Sequence, residues 1–172
     1  YCQARILHAA KGIPAWRVPL IPWMLISTGL FEGLGLLFVV AALDSEIVIG
    51  PVGPVLGVLL TSVNAWQWWI YRKTSKKAGI PPLARASLAR ITPWLHAIGH
   101  ALPGLLYVTA LTMIGEEQIA VLAVAGIASL AGGAIWKYTV VVLASYQQGF
   151  ALPRLPRRGS GDRTAPGLCG TL

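Results

Sequence analysis

Five side chains have the type and setting to do chemistry: Glu32, Asn64, Gln67, His96 and His100. Glu32 sits in the middle of an apolar run, STGLFEGLGLL. An unpaired carboxylate at lipid depth costs at least a few kcal/mol if ionised, so Glu32 must be protonated, paired or next to water. Either it is a proton-relay or ligand carboxyl, or it is a protonated Glu hydrogen-bonded to a neighbouring helix; the residues weigh these equally. His96 and His100 stand at i and i+4, on one helix face and about 6 Å apart along the axis. Axial ligands of one haem come from opposite sides of its plane, hence from different helices, which this spacing does not provide. A zinc motif of the HExxH type fails because Ala97 stands where the Glu belongs. Structural and quinone-contacting roles for the two His both remain open.

Asn64, Gln67, His100 and Lys137 fall at comparable depth near the ends of their apolar runs. A polar cluster there would hydrogen-bond the carbonyl oxygens of a quinone whose tail stays in lipid. The competing reading is snorkelling and interhelical hydrogen bonding.

The elements that must position these residues follow from composition. The chain has 172 residues, 55% hydrophobic and 12% charged, against about 25% charged in soluble domains. Mean hydropathy is +0.65. These values predict an all-α integral membrane protein. The net charge of +8 would suggest nucleic acid in a soluble protein, but the basic residues flank apolar runs, and we expect no nucleic-acid partner. Cys2 and Cys169 lie at opposite ends with no paired motif, so neither a cluster nor a metal site is expected. Phosphate-binding loops, catalytic triads and paired carboxylates are absent from the sequence.

Four apolar runs predict a bundle of four transmembrane helices: residues 21–43, 52–71, 94–114 and 119–146. The first, at 1.5 Å per residue, spans about 34 Å, enough for a hydrocarbon core of about 30 Å. Residues 72–93 read as a loop carrying Arg72, Lys73, Lys76, Lys77, Arg85 and Arg90, broken by Pro81 and Pro82. A bend is expected at Pro103-Gly104. Gly29 with Gly33, Gly53 with Gly57, and Ala128 with Gly132 are small-residue pairs suited to close helix contacts. Basic residues precede the first run, fill the 72–93 segment and recur in the tail. The two opposite turns hold Asp44, Glu46, Glu116 and Glu117. By the positive-inside rule both ends face the cytoplasm. Trp16, Trp23, Trp66, Trp68, Trp69 and Trp94 read as an aromatic belt at that interface. The expected organisation is a helix foot and cytoplasmic loop at 1–18, a transmembrane domain at 19–146 and a basic Pro/Gly-rich cytoplasmic tail at 147–172. The opening YCQARILHAAKG reads as the end of something that began earlier, so a C-terminal portion of a longer protein is expected.

The segment YCQARILHAAKGIPAWRVPLIPW resembles the membrane anchor subunits of the dimethyl sulfoxide reductase (DmsC) family. The parts are Ala4 to Leu7, Lys11, Pro14 to Trp16, Pro19 and Pro22, then Gly29 to Gly35. The stretch KYTVVVLASYQQGFALPRLPRRG is similar to the C-terminal end of such anchors, in particular those of phenylacetyl-CoA:acceptor oxidoreductases. The resemblance implies the second half of an eight-helix anchor in a bacterial inner membrane, without a redox centre of its own. It implies an iron–sulfur electron-transfer subunit and a molybdopterin catalytic subunit as partners. Menaquinone or ubiquinone would be the exchangeable substrate. No residue of this chain is assigned to a quinone site by the resemblance; Glu32, Asn64, Gln67, His96 and His100 are candidates from their own chemistry. Half of a secondary transporter and a purely structural membrane scaffold are the alternative readings.

Overall fold

A computed structural model describes residues 2–10, 12–44 and 46–146. The expected tail, with Cys169, lies outside the described residues, as does Lys11. The described chain is all-helical: α1 Cys2–Ala9, α2 Ile21–Leu43, α3 Val52–Thr74, α4 Pro82–Trp94, a π-helical segment Leu95–Ala101, α5 Leu102–Ala110, α6 Glu116–Tyr138, a second π-helical segment Thr139–Leu143 and α7 Ala144–Tyr146.

Local chemistry sets these boundaries. Pro22 sits in the first turn of α2, where a missing N–H costs nothing. The chain leaves α2 at Asp44, whose carboxylate accepts the Glu46 N–H at 3.1 Å. Gly79 and Gly115 both have φ of 71°, a conformation that needs glycine, and they make the turns into α4 and α6. Glu116 and Glu117 then lie in the first turn of α6, where the helix dipole favours acidic groups.

Short turns make successive long helices antiparallel. Helix α2 packs on α3 and α6, and α5 also packs on α3 and α6, so the four form a closed ring. One end of the bundle carries the basic turn 72–90 and the other the acidic turns. Two apolar clusters fill the interior. The basic-end cluster includes Ile21, Met24, Trp68, Tyr71, Leu88 and Val140. The acidic-end cluster is Phe31, Phe38, Tyr107, Ala110, Leu122 and Ala125.

Two helices, Ile21–Leu43 and Glu116–Leu143, are long and apolar enough to cross a membrane, and less than half of each is buried inside the bundle. The other two expected spans do not meet that measure. Helix α3 carries Asn64, Gln67 and three Trp toward its end and finishes in Arg72 and Lys73. The third run is divided into α4, a π turn and α5. Large apolar side chains nevertheless face outward on all of them, among them Leu36, Val40, Leu56, Leu59, Leu105 and Val108.

Several sequence expectations are corrected. Residues 72–93 are mostly helix: α3 runs on to Thr74, and α4 starts at Pro82 and continues into the third run. Helix α3 ends at Thr74, before the prolines, and Pro81 and Pro82 start α4, as Pro does in a first turn. The third run stops at Ala110, not 114. A π segment, Leu95–Ala101, precedes Pro103, and α5 runs through Pro103-Gly104. Gly29 and Gly33 meet nothing within 4 Å, while Gly35 on the neighbouring face packs against Gly126. Trp68, expected in the aromatic belt, is instead a core residue, 1% exposed.

Candidate functional site

Between the two apolar clusters lies a layer of polar side chains. Ser27 and Thr28 come from α2, Asn64 and Gln67 from α3, and all four are buried. Thr28 Oγ1 donates to Asn64 Oδ1 at 2.9 Å. Asn64 Nδ2 donates to the Leu60 carbonyl at 2.8 Å, which fixes the amide orientation. Ser27 Oγ lies 3.0 Å from Asn64 Oδ1 and 2.7 Å from the Gln67 amide. The hydroxyl has one proton to give, and the shorter contact, to Gln67 Oε1, is the stronger of the two. The layer cross-links α2 to α3.

Glu32, one turn beyond Thr28 on the same face, pairs with Lys137 of α6. Side chains lean toward their own helix N-terminus. In antiparallel helices the two therefore lean toward each other, and the pair closes across several residues of axial offset. Gly133 makes room for it: a Cβ there would stand 2.6 Å from Glu32 Cδ. Glu32 is 18% exposed and Lys137 39%, so the pair lies at the bundle's flank.

The π segment supplies the third part. Pro103 has no N–H to give to the preceding turn, and the Leu102 N–H reaches back five residues to the Ala97 carbonyl. Widening this turn brings Gly99 against the Gly132 backbone, with a Cβ at Gly99 falling 3.1 Å from Gly132 Cα. His100 is thereby turned inward and buried, with Nδ1 3.0 Å from the Leu95 carbonyl. A carbonyl only accepts, so in the neutral ring Nδ1 carries the proton and Nε2 the lone pair. His96 is half-buried, its ring centroid 5.3 Å from that of His100.

A cavity of about 20 Å³ lies where these parts meet, lined by Thr28, Asn64, His100, Gly132, Gly133 and Trp136 among others. Of the five sequence candidates, Asn64 and His100 share this cavity, and Gln67 joins it through Ser27. Glu32 lies behind its Gly133 wall. His96 touches His100 but does not line the space. Sequence reasoning missed Ser27, Thr28, Gly133 and Trp136. The first two were legible, because Ser27-Thr28 is a hydroxyl pair one turn before Glu32. Gly133 and Trp136 were not, since their roles depend on which helix faces them.

A wider, open groove of about 530 Å³ lies at the basic end, between the entry to α2 and the exit of α3. Val18, Leu20, Trp23 and Ile70 give it apolar walls, and Thr74 and Lys77 give it a polar rim. Nearby, Arg72 donates to the Arg85 carbonyl at 3.2 Å, tying α3 to α4. Burial lowers the Arg72 pKa from its ordinary value, a shift that leaves an Arg charged. Lys73 lies over the Trp69 ring, 3.7 Å from its centroid. Among the described residues no three His, Cys, Asp or Glu side chains are grouped to hold a metal ion.

No family model, no curated protein and no solved structure matches this chain.

Proposed function

We propose that the chain is a four-span membrane anchor subunit of a multisubunit molybdopterin and iron–sulfur oxidoreductase, coupling electron transfer to the quinone pool of a bacterial inner membrane. The observation that carries the reading is a buried polar layer with an ion pair, Glu32–Lys137, under the basic end of a bundle whose flanks are otherwise apolar. In lipid such groups are expensive and tend to mark proton or ligand sites. The outward Leu and Val of α3 and α5 fit lipid contact on those helices as well, and the basic end fits the cytoplasmic side. The dimethyl sulfoxide reductase anchor resemblance supplies the quinone and the two partner subunits.

A 20 Å³ cavity admits one water and no quinone ring. In this reading the quinone head therefore occupies the 530 Å³ groove, which falls in the usual size range of ligand sites of about 300–1,000 Å³. Lys77 offers a donor to a quinone oxygen there, and the polar layer lies deeper in the bundle. The test is electron flow from the catalytic subunit to membrane quinone in the full-length complex. Trp23→Ala with Lys77→Glu should lower it at least fivefold while the partner subunits still co-purify. Unchanged quinone reduction in that variant, or no redox partners on purification, would sink the reading. The ion pair also favours a second reading, half of a secondary transporter. Loss of solute uptake with unchanged electron transfer in a deletion strain would select it.

A further inference from the structure

The cavity beside His100 has a hydrogen-bonding deficit of definite sign. Trp136 lines it, is 4% exposed, and its indole N–H is buried without a partner among the described residues. An indole nitrogen is a donor only, so the site needs an acceptor. His100 also lines it and is buried. With Nδ1 committed to the Leu95 carbonyl, its Nε2 keeps a lone pair that can accept. Thr28 has given its proton to Asn64 Oδ1 and also retains lone pairs. The deficit is thus one unpaired donor, beside two groups able to accept. A molecule that accepts once and donates twice answers it, and the volume of about 20 Å³ admits nothing larger than water.

We propose that this cavity is a binding site for a single water molecule, which accepts the Trp136 indole N–H and donates to His100 Nε2 and Thr28 Oγ1. Three hydrogen bonds are the usual number for a buried water. The water ties α2, the π segment and α6 at one point, since its three partners come from those elements. The π turn is what creates the site, because it swings His100 inward. The assignment is independent of any quinone.

The test is solid-state NMR on the full chain in lipid bilayers, with ¹⁵N in His and Trp and magnetisation transferred from water protons. His100→Gln and Trp136→Phe assign the two signals. Transfer from water to both His100 Nε2 and the Trp136 indole nitrogen is the expected result. Thr28→Val keeps the shape but removes one partner, and should lower both transfers at least twofold. Trp136→Phe should lower the His100 transfer by a similar factor. Transfer from lipid-chain protons alone would overturn the proposal. So would a water signal at only one of the two nitrogens, or signals unchanged in Thr28→Val with helicity retained by circular dichroism, a check needed because the substitution also removes the bond to Asn64.

Discussion

The two ends of the bundle interior are held together by different means. At the acidic end the helices touch through backbone. A Cβ at Gly35 would lie 2.8 Å from the Gly126 carbonyl oxygen, and one at Gly57 would lie 2.7 Å from the Tyr107 ring. Side-chain hydrogen bonds between helices there join Tyr107 to Ser129 at 2.8 Å and Gln118 to the Ala110 carbonyl at 2.9 Å, both between α5 and α6. Toward the basic end Ser27, Thr28, Asn64, Gln67 and the Glu32–Lys137 pair tie helices by polar contacts. In lipid, tails are as apolar as Leu, so helices associate through close packing or through hydrogen bonds. This chain uses each means in its own layer. The polar layer borders one small cavity.

The comparison can be broken by substitution. The largest effect is expected for Gly126→Leu, which drives a side chain into the Gly35 backbone. A loss of about 3 kcal/mol is expected, the upper part of the overpacking range, read by thermal unfolding in detergent. A loss below about 1 kcal/mol would mean that the α2–α6 contact is looser than described. Next comes the ion pair. Glu32→Gln or Lys137→Met alone should cost about 1–2 kcal/mol, less than a fully buried pair because Lys137 is 39% exposed. A double-mutant cycle should return a coupling of the same size; zero coupling would show that the two charges are solvated separately. Asn64→Leu removes the acceptor shared by Ser27 and Thr28 and should cost about 0.6–1.7 kcal/mol, the range for polar contacts in membrane bundles. The smallest effect belongs to Gly33→Ala, which meets nothing within 4 Å. It should shift stability of this chain by less than about 0.5 kcal/mol. A larger loss would show that another helix packs on that face.

Helix existence was legible in the sequence because apolar length signals it directly. Residues 21–43 matched without change. The 72–93 segment was misread because Pro81-Pro82 was taken to end helical structure on both sides, whereas Pro also starts helices. The π segment at Leu95–Ala101 has no sequence signal beyond the two flanking prolines, Pro93 and Pro103. The candidate residues were picked by depth, since polar atoms in apolar runs are conspicuous, and the structure brings two of them, Asn64 and His100, to one cavity. Their partners depend on helix rotation. Periodicity is weak on helices that are apolar all round, so nothing in the sequence said that Lys137 would meet Glu32, or that Gly35 rather than Gly29 and Gly33 would make the helix contact.

The Trp16 indole donates to the Val140 carbonyl at 3.0 Å, and the Tyr71 hydroxyl to the Ala15 carbonyl at 3.0 Å. Together they strap the segment before α2 across the basic end. Their partners lie 124 and 56 residues away in sequence. A chain made from its N-terminus has Trp16 before α2 and its acceptor only after α6. The Tyr71 bond can close once α3 is in place, whereas the Trp16 bond closes only after α6, and such distant contacts form slowly. Shielding of the Trp16 indole thus reports the completed assembly, and a fluorescence change at that residue would time the final step of bundle formation rather than its start.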